Sequence, residues 1–271
     1  MGIGAESSFW RRALFRSLGA VYLRRTCTTE DGSFDAYVSA GSSLKVLNPR
    51  GLSIERVHQR FIRNWIDTHS TVWDIGTNLG LFALPAALRA KQGSVYGFEP
   101  DIEVAANVLR SIRCPRNAGL NVTLFPMAVS DTDGTARFQV SKFSRAMSRL
   151  DGVGQWRGAQ VETAEMRSVA ILRIDTLVKS LRPPTVIKID VEGAEMKVLE
   201  GGQETISRWR PTMLVEGPQE LWQPMGDFFR QHDYVLLDGG TDARTPLDHP
   251  VWDTVAVPRE RFLSWRPSLW L

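Results

Sequence analysis

From Thr71 onward, short apolar runs alternate with stretches whose apolar residues recur every three or four positions. Runs at 71–75, 94–98, 121–126, 185–189, 213–216, 234–237 and 254–257 read as strands. Most are apolar without interruption, which suits strands covered on both faces. The periodicity between them predicts helices over 81–90, 102–112, 194–199 and 221–231. Strand alternating with helix is the sequence sign of βαβ units on a mostly parallel sheet, so the fold class is α/β. Two further strands, 136–141 and 168–174, bracket a polar stretch from Lys142 to Arg167, which reads as a loop or lid over a site.

The first seventy residues follow another pattern. Trp10, Leu14, Leu18 and Val21 share one face of a predicted basic helix over 9–22, with Arg11, Arg12 and Arg16 off that stripe. Such a helix either packs on its own domain, the favoured reading, or touches a membrane surface or partner. Alternation with glycine over 34–52 predicts a β-hairpin, and 53–68 a helix facing inward through Ile54, Val57, Phe61 and Ile62. The expected organisation is an extension over 1–52, a main domain over 53–260 and a tail with two tryptophans over 261–271.

Composition narrows the function classes. With 43% hydrophobic and 23% charged residues, the chain is an ordinary globular one with a sizeable core, not a disordered or collagen-like one. A net charge of +3 with scattered arginines argues against nucleic acid as a partner. Cys27 and Cys114 form no CxxC pair, which leaves zinc and redox motifs unsupported and suits a reducing compartment. The most apolar stretch, 79–88, contains Pro85 and ends at Arg89, short of the ~20 residues a membrane helix needs. Arginines interrupt any leader-like core near the start, and Glu6 breaks the myristoylation pattern, so a cytoplasmic location is expected.

Three motifs carry chemistry. In Asp74-Ile75-Gly76-Thr77-Asn78-Leu79-Gly80 a strand runs into an acid and then two glycines before a helix, an arrangement that lets backbone approach a ligand closely. Glu99 ends the next strand, 23 positions after Gly76, where a carboxylate can hold both hydroxyls of a ribose. A dinucleotide or S-adenosylmethionine would suit both motifs. Asn78 occupies the place of the middle glycine of the dinucleotide fingerprint, and Asp74 favours a cationic ligand over a diphosphate. In the third motif, Val186-Ile187-Lys188-Ile189-Asp190-Val191-Glu192-Gly193, Lys188 and Asp190 break an apolar strand on one face. Charges so placed form an internal ion pair or serve a site beyond the strand's carboxyl end. Glu216 ends the following strand and should face the same crevice.

The ordered set DIGTNLG, VYGFEP, MAVSDTDG, IKIDVEGAE and LVEG resembles the FkbM family of S-adenosylmethionine-dependent methyltransferases, over roughly residues 57–257. The resemblance implies a class I, Rossmann-like fold: a seven-stranded, mostly parallel sheet with helices on both faces and a reversed final hairpin. It implies S-adenosylmethionine as cofactor and O-methylation of a hydroxyl on a sugar, glycan or other natural product. By position it assigns Asp74, Gly76, Asn78 and Gly80 to the cofactor loop, with Thr77 a departure toward a larger residue. Glu99, beside Pro100, takes the ribose, and Met127, Ala128 and Val129 line the adenine. Asp190, Glu192 and Glu216 match acidic positions near the methyl-transfer crevice. Asp190 is the first choice for the base or acceptor orienter, with Lys188 tuning its charge. The histidines do not cluster and read as structural, with His249 the only one weighed for catalysis, and no metal-ligand set is expected from DVEG. The rivals are a nicotinamide-dinucleotide oxidoreductase and a non-catalytic cofactor-binding protein. The acceptor's identity and the oligomeric state are not written in the chain.

Overall fold

The computed structural model describes residues 22–39, 52–142, 147–152 and 163–264. The expected helix over 9–22 lies outside them except for Tyr22, as do most of the polar stretch and the residues beyond Ser264.

The hairpin is earlier than expected. Strand β1 (Tyr22–Thr29) pairs antiparallel with β2 (Gly32–Ser39), so Tyr22 begins a strand rather than ending a helix. In β1 only Cys27 is buried, and its arginines and threonines hide the strand from an apolar pattern. Phe34, Ala36 and Val38 of β2 pack with Cys27, Leu79 and Leu84. Helix α1 (Arg56–Trp65) follows, then β3 (Thr71–Ile75), α2 (Ala83–Arg89), β4 (Ser94–Phe98), α3 (Ile102–Ile112) and β5 (Val122–Phe125). Asp101 caps α3 by accepting from the Glu103 N–H at 3.0 Å.

A second sheet interrupts the alternation. It is made of β6 (Ala128–Val129), β7 (Gly134–Ser141), β8 (Arg149–Leu150) and β9 (Thr163–Leu172), in the order β6-β9-β7-β8. Residues 163–167, expected in the polar loop, are therefore strand, held by the β7 ladder. Ile174, expected at a strand end, opens the short helix α4 (Ile174–Leu177) instead. Then come β10 (Val186–Ile189), α5 (Glu195–Glu200), α6 (Gln203–Trp209), β11 (Thr212–Glu216), α7 (Trp222–Gln231), β12 (Tyr234–Asp238), β13 (Asp253–Pro258) and α8 (Arg259–Ser264). The pattern missed α6 because Thr205 and Ile206 are its only buried residues.

The main sheet has seven strands in the order β12-β13-β11-β10-β3-β4-β5. It is mixed, since β13 runs antiparallel to both neighbours, as a reversed final hairpin requires. Alternate residues feed two cores. Trp73, Ile75, Ile187, Ile189, Met213 and Val215 face α5, α6 and α7 through Val198, Leu199, Ile206, Met225 and Phe229. Val72, Val95, Val186, Leu214 and Val255 face α1 and α2 through Phe61, Ile62, Ala83 and Ala86. Helices thus cover both faces. Among the described residues no helix is long and apolar enough to cross a membrane.

One pair of positions departs from this apolar arrangement. Asp74 and Lys188 are register partners on neighbouring central strands, at 0% and 3% exposure. The Lys188 Nζ lies 3.4 Å from the Asp74 Oδ1. Replacing Lys188 by methionine should cost ~3–5 kcal/mol at pH 7.5, because it leaves carboxylates buried without their cation. The loss should shrink at pH 5, where Asp74, already raised to about 6 by burial, takes up a proton. Urea denaturation at the two pH values checks this, and equal losses at both would rule out an uncompensated carboxylate as the cause.

Candidate active site

The carboxyl ends of β3, β4, β10 and β11 open on a cavity of about 360 Å³, closed on another side by the four-stranded sheet. The loop after β3 supplies Gly76, Thr77 and Asn78, and the β4 end supplies Glu99 and Pro100. Lys188, Asp190 and Glu192 come from the β10 end, Glu216 from β11, and Ala128 and Val129 from β6. The ends of parallel strands thus converge as their topology demands.

The β3 loop is tightly determined. Gly76 has φ +83°, and a Cβ there would lie 1.8 Å from the Asp190 carbonyl oxygen, so only glycine fits. The N–H groups of Gly76 and Thr77 both donate to the Phe98 carbonyl, at 3.0 and 3.1 Å. The Thr77 hydroxyl turns inward and donates to the Asp74 carbonyl at 2.9 Å. The space for this larger residue comes from Gly97, where a Cβ would stand 2.7 Å from the Thr77 Oγ1. Asn78 adopts φ +48°, and its N–H donates to the Glu99 Oε2 at 2.8 Å. The other Glu99 oxygen accepts from the Asp101 N–H at 2.9 Å. Glu99 is therefore anchored by backbone at both oxygens, while burial raises its pKa to about 7.

Beyond β10 the charges are interlocked. The Lys188 ammonium donates to the Gly76 carbonyl at 2.7 Å and stands 3.3 Å from the Asp190 Oδ2. Burial works to lower its pKa, but Asp190, Asp74 and Glu216 together hold it above the ordinary lysine value. Glu192, at φ +54°, is raised to about 8 by burial and by the charges of Asp190 and Glu216. Glu216 accepts from the Trp252 indole N–H at 2.9 Å and is raised to about 7 by burial and by Asp190. Glu195 accepts from the Val191 and Gly193 N–H groups at 3.2 and 3.0 Å, which fixes the loop that carries Glu192.

Three expected site residues lie outside the cavity wall. Asp74 is sealed beneath the loop at 0% exposure, with Lys188 as its compensating charge. Gly80, at φ +76°, backs onto Val108 and Leu84. Met127 packs against the core on the α5–α7 side of the sheet. Conversely, His58, Phe138, Ser148 and Arg149 line the wall unforeseen. His58 lies on the inner face of α1, edge-on to Phe82 with ring centroids 5.4 Å apart, and burial lowers its pKa to about 4. Its spacing of three and four to Phe61 and Ile62 was the signal available in the sequence. His249 is exposed, stacks on Trp222 and does not line the cavity. Among the described residues no group of three or more His, Cys, Asp and Glu side chains is gathered to hold a metal.

A family model, the methyltransferase FkbM domain, matches residues 74–236. Over 180 residues the chain is 28% identical to the 2-O-methyltransferase NoeI of Sinorhizobium fredii, covering 62% of this chain and 72% of that protein. Over 184 residues it is 24% identical to the hexuronic acid methyltransferase AglP of Haloferax volcanii, covering 66% and 69%. Among solved structures, the methyltransferase FkbM from Methylobacillus flagellatus aligns at a TM-score of 0.46 and 19% identity, over 70% of this chain and 44% of that one.

The crowding of acids has a thermodynamic signature. Unfolded carboxyls release their protons near pH ~4. Folded Glu99, Glu195 and Glu216 keep theirs to about 7, and Glu192 to about 8. Between those limits the folded chain binds more protons, so its stability falls as pH rises. His58 acts in the opposite sense, but only below its unfolded pKa of about 6.5. The ligand-free protein should therefore melt at progressively lower temperature from about pH 6.5 to about pH 8.5, and Glu192→Gln should flatten that slope. Calorimetric melting across this range checks it, and a flat or rising Tm in the unsubstituted protein would contradict it.

Proposed function

The chain belongs to the methyltransferase FkbM family, and from that premise we propose that it transfers a methyl group from S-adenosylmethionine to a hydroxyl oxygen of a sugar or glycan acceptor. The single observation that carries the cofactor is Glu99, held by backbone N–H groups at both oxygens in the cavity wall beside Gly76, Thr77 and Asn78. We read the seven-stranded sheet as the class I arrangement, with residues 53–260 as the catalytic unit. One relative is an O-methyltransferase and the other is a methyltransferase of a hexuronic acid, which supports the acceptor class.

The residues present suit this cofactor. Glu99 would accept hydrogen bonds from the ribose hydroxyls, the Gly76–Asn78 loop would hold the cofactor's backbone-facing side, and Ala128 with Val129 would offer the adenine an apolar wall. Asp190 lines the same cavity, and a carboxylate there favours a cation and repels a dinucleotide's diphosphate. This argues against a nicotinamide-dependent oxidoreductase, as does Asn78 in place of a glycine. When bound, S-adenosylmethionine supplies an electrophilic methyl group on a positively charged sulfur. The chain's own work is to orient the acceptor hydroxyl and remove its proton. Asp190 takes that proton as general base, with its position set by the Lys188 ammonium 3.3 Å away. Glu192 and Glu216, with pKa values of about 8 and about 7, carry protons near neutrality and donate hydrogen bonds to acceptor oxygens.

Two measurements test this reading. Titration calorimetry should show binding of S-adenosylhomocysteine, weakened by ~1–3 kcal/mol in Glu99→Ala through loss of hydrogen bonds to a carboxylate. Binding of NADH in its stead would overturn the cofactor assignment. Asp190→Asn should leave that affinity nearly unchanged while methyl transfer to a hexose or hexuronate acceptor falls by ~10²–10⁴-fold, the usual share of general-base catalysis. Full single-turnover activity in Asp190→Asn would remove it from the role of base, and binding without turnover in the unsubstituted protein would favour a non-catalytic binder.

A further inference from the structure

Arg149 keeps only 6% of its surface, lines the cavity, and has no hydrogen bond or ion pair from its guanidinium among the described residues. None of its nitrogens is both sealed from solvent and unbonded, so the guanidinium meets solvent where the residue borders the cavity. The contrast with Arg167 in the same sheet is direct. Arg167 meets Asp101, Glu103 and Glu165 at 3.0, 2.9 and 2.6 Å. Glu99, Asp190, Glu192 and Glu216 all line the cavity that Arg149 lines, yet none of them pairs with it.

A guanidinium this enclosed calls for an anionic partner, and its planar fork matches the paired oxygens of a carboxylate, sulfate or phosphate. Its setting strengthens such a contact. Leu150 and Phe138 beside it are buried and apolar, which lowers the local dielectric. The Ser148 hydroxyl, which also lines the cavity, already accepts the Ser141 N–H at 3.0 Å and keeps its own proton to donate. Position points to the acceptor rather than the cofactor as the source of the anion. The glycine loop and Glu99 belong to the seven-stranded sheet, whereas Arg149 stands on β8, the edge strand farthest from β6 in the other sheet. Resting on the reading of this cavity as a methyl-transfer site, we propose that Arg149 binds an anionic oxygen group carried by the acceptor and so sets acceptor specificity. An acceptor held at Arg149 by its anion and at Asp190 by its hydroxyl is fixed at two points, which selects both the molecule and the oxygen methylated.

The test uses the full chain saturated with S-adenosylhomocysteine and four probes that differ only at one carbon: glucose, glucuronate, glucose 6-sulfate and glucose 6-phosphate. In calorimetry at least one anionic sugar should bind tenfold or more tighter than glucose. Arg149→Gln should bring that sugar down to the affinity of glucose, and Arg149→Lys should retain part of the difference. The affinity of both variants for S-adenosylhomocysteine should stay within twofold of the parent, which also shows that they are folded. If no anionic sugar binds tighter than glucose, or if Arg149→Gln leaves the preference intact, the proposal is wrong. If Arg149→Gln weakens S-adenosylhomocysteine tenfold or more while Tm is unchanged, the guanidinium serves the cofactor's own carboxylate and the acceptor assignment fails. Absence of S-adenosylhomocysteine binding in the parent would overturn the functional reading as well, and is distinguished by appearing before any sugar is added.

Discussion

The Lys188 ammonium ties the two central strands and the loops that leave them into one unit. It holds the Gly76 carbonyl at 2.7 Å, the Asp74 carboxylate at 3.4 Å and the Asp190 carboxylate at 3.3 Å. At 3% exposure this charge persists only because those groups replace its water, and Asp74, fully buried, persists only because of the lysine. One cation therefore sets both the path of the loop beyond β3 and the position of the acid beyond β10. Register makes this possible, since Asp74 and Lys188 sit opposite one another in a parallel pair.

Backbone contact locks the same two loops a second time. The Asp190 N–H donates to the Ile75 carbonyl at 3.0 Å, and the Asp190 carbonyl occupies the space where a side chain at Gly76 would begin. The loops lie so close that neither can shift alone. Asn78 and Glu192, both in the cavity wall, hold left-handed φ values of +48° and +54°, a conformation that carries a cost for residues other than glycine. The hydrogen bonds from Asn78 to Glu99, and from Val191 and Gly193 to Glu195, offset that cost and keep the wall in place.

The concentration of acids is the other cost of the arrangement. Burial and mutual repulsion raise Glu99, Glu192, Glu195 and Glu216 well above the ordinary carboxylate range. Two apolar cores, one on each face of the sheet, supply the stability that lets these groups stay close together. Arg149, whose guanidinium has no ion pair among the described residues, brings a cationic group to the same cavity.

Much of this was written locally. β3, β4 and α3 lie within the bounds that apolar patterning predicts, and Gly76, Glu99, Asp190, Glu192 and Glu216 converge because parallel strands end at one edge. Each of those readings needed only a strand, its end and the residue beyond it. What the pattern could not reach were relations across long separations. Asp74 reads as a ligand-facing acid until the fold sets it against Lys188, 114 positions away, and turns it into buried support. Met127 sits at a strand end like the others but packs into the core, since side-chain direction follows neighbours rather than spacing. His58 and Arg149 carry no motif, and they become wall residues only when α1 and the two-residue strand β8 fold over the cavity. Local periodicity is set by the geometry of one element, whereas burial, charge pairing and exposure to a cavity are properties of several elements packed together, and only the tertiary structure decides them.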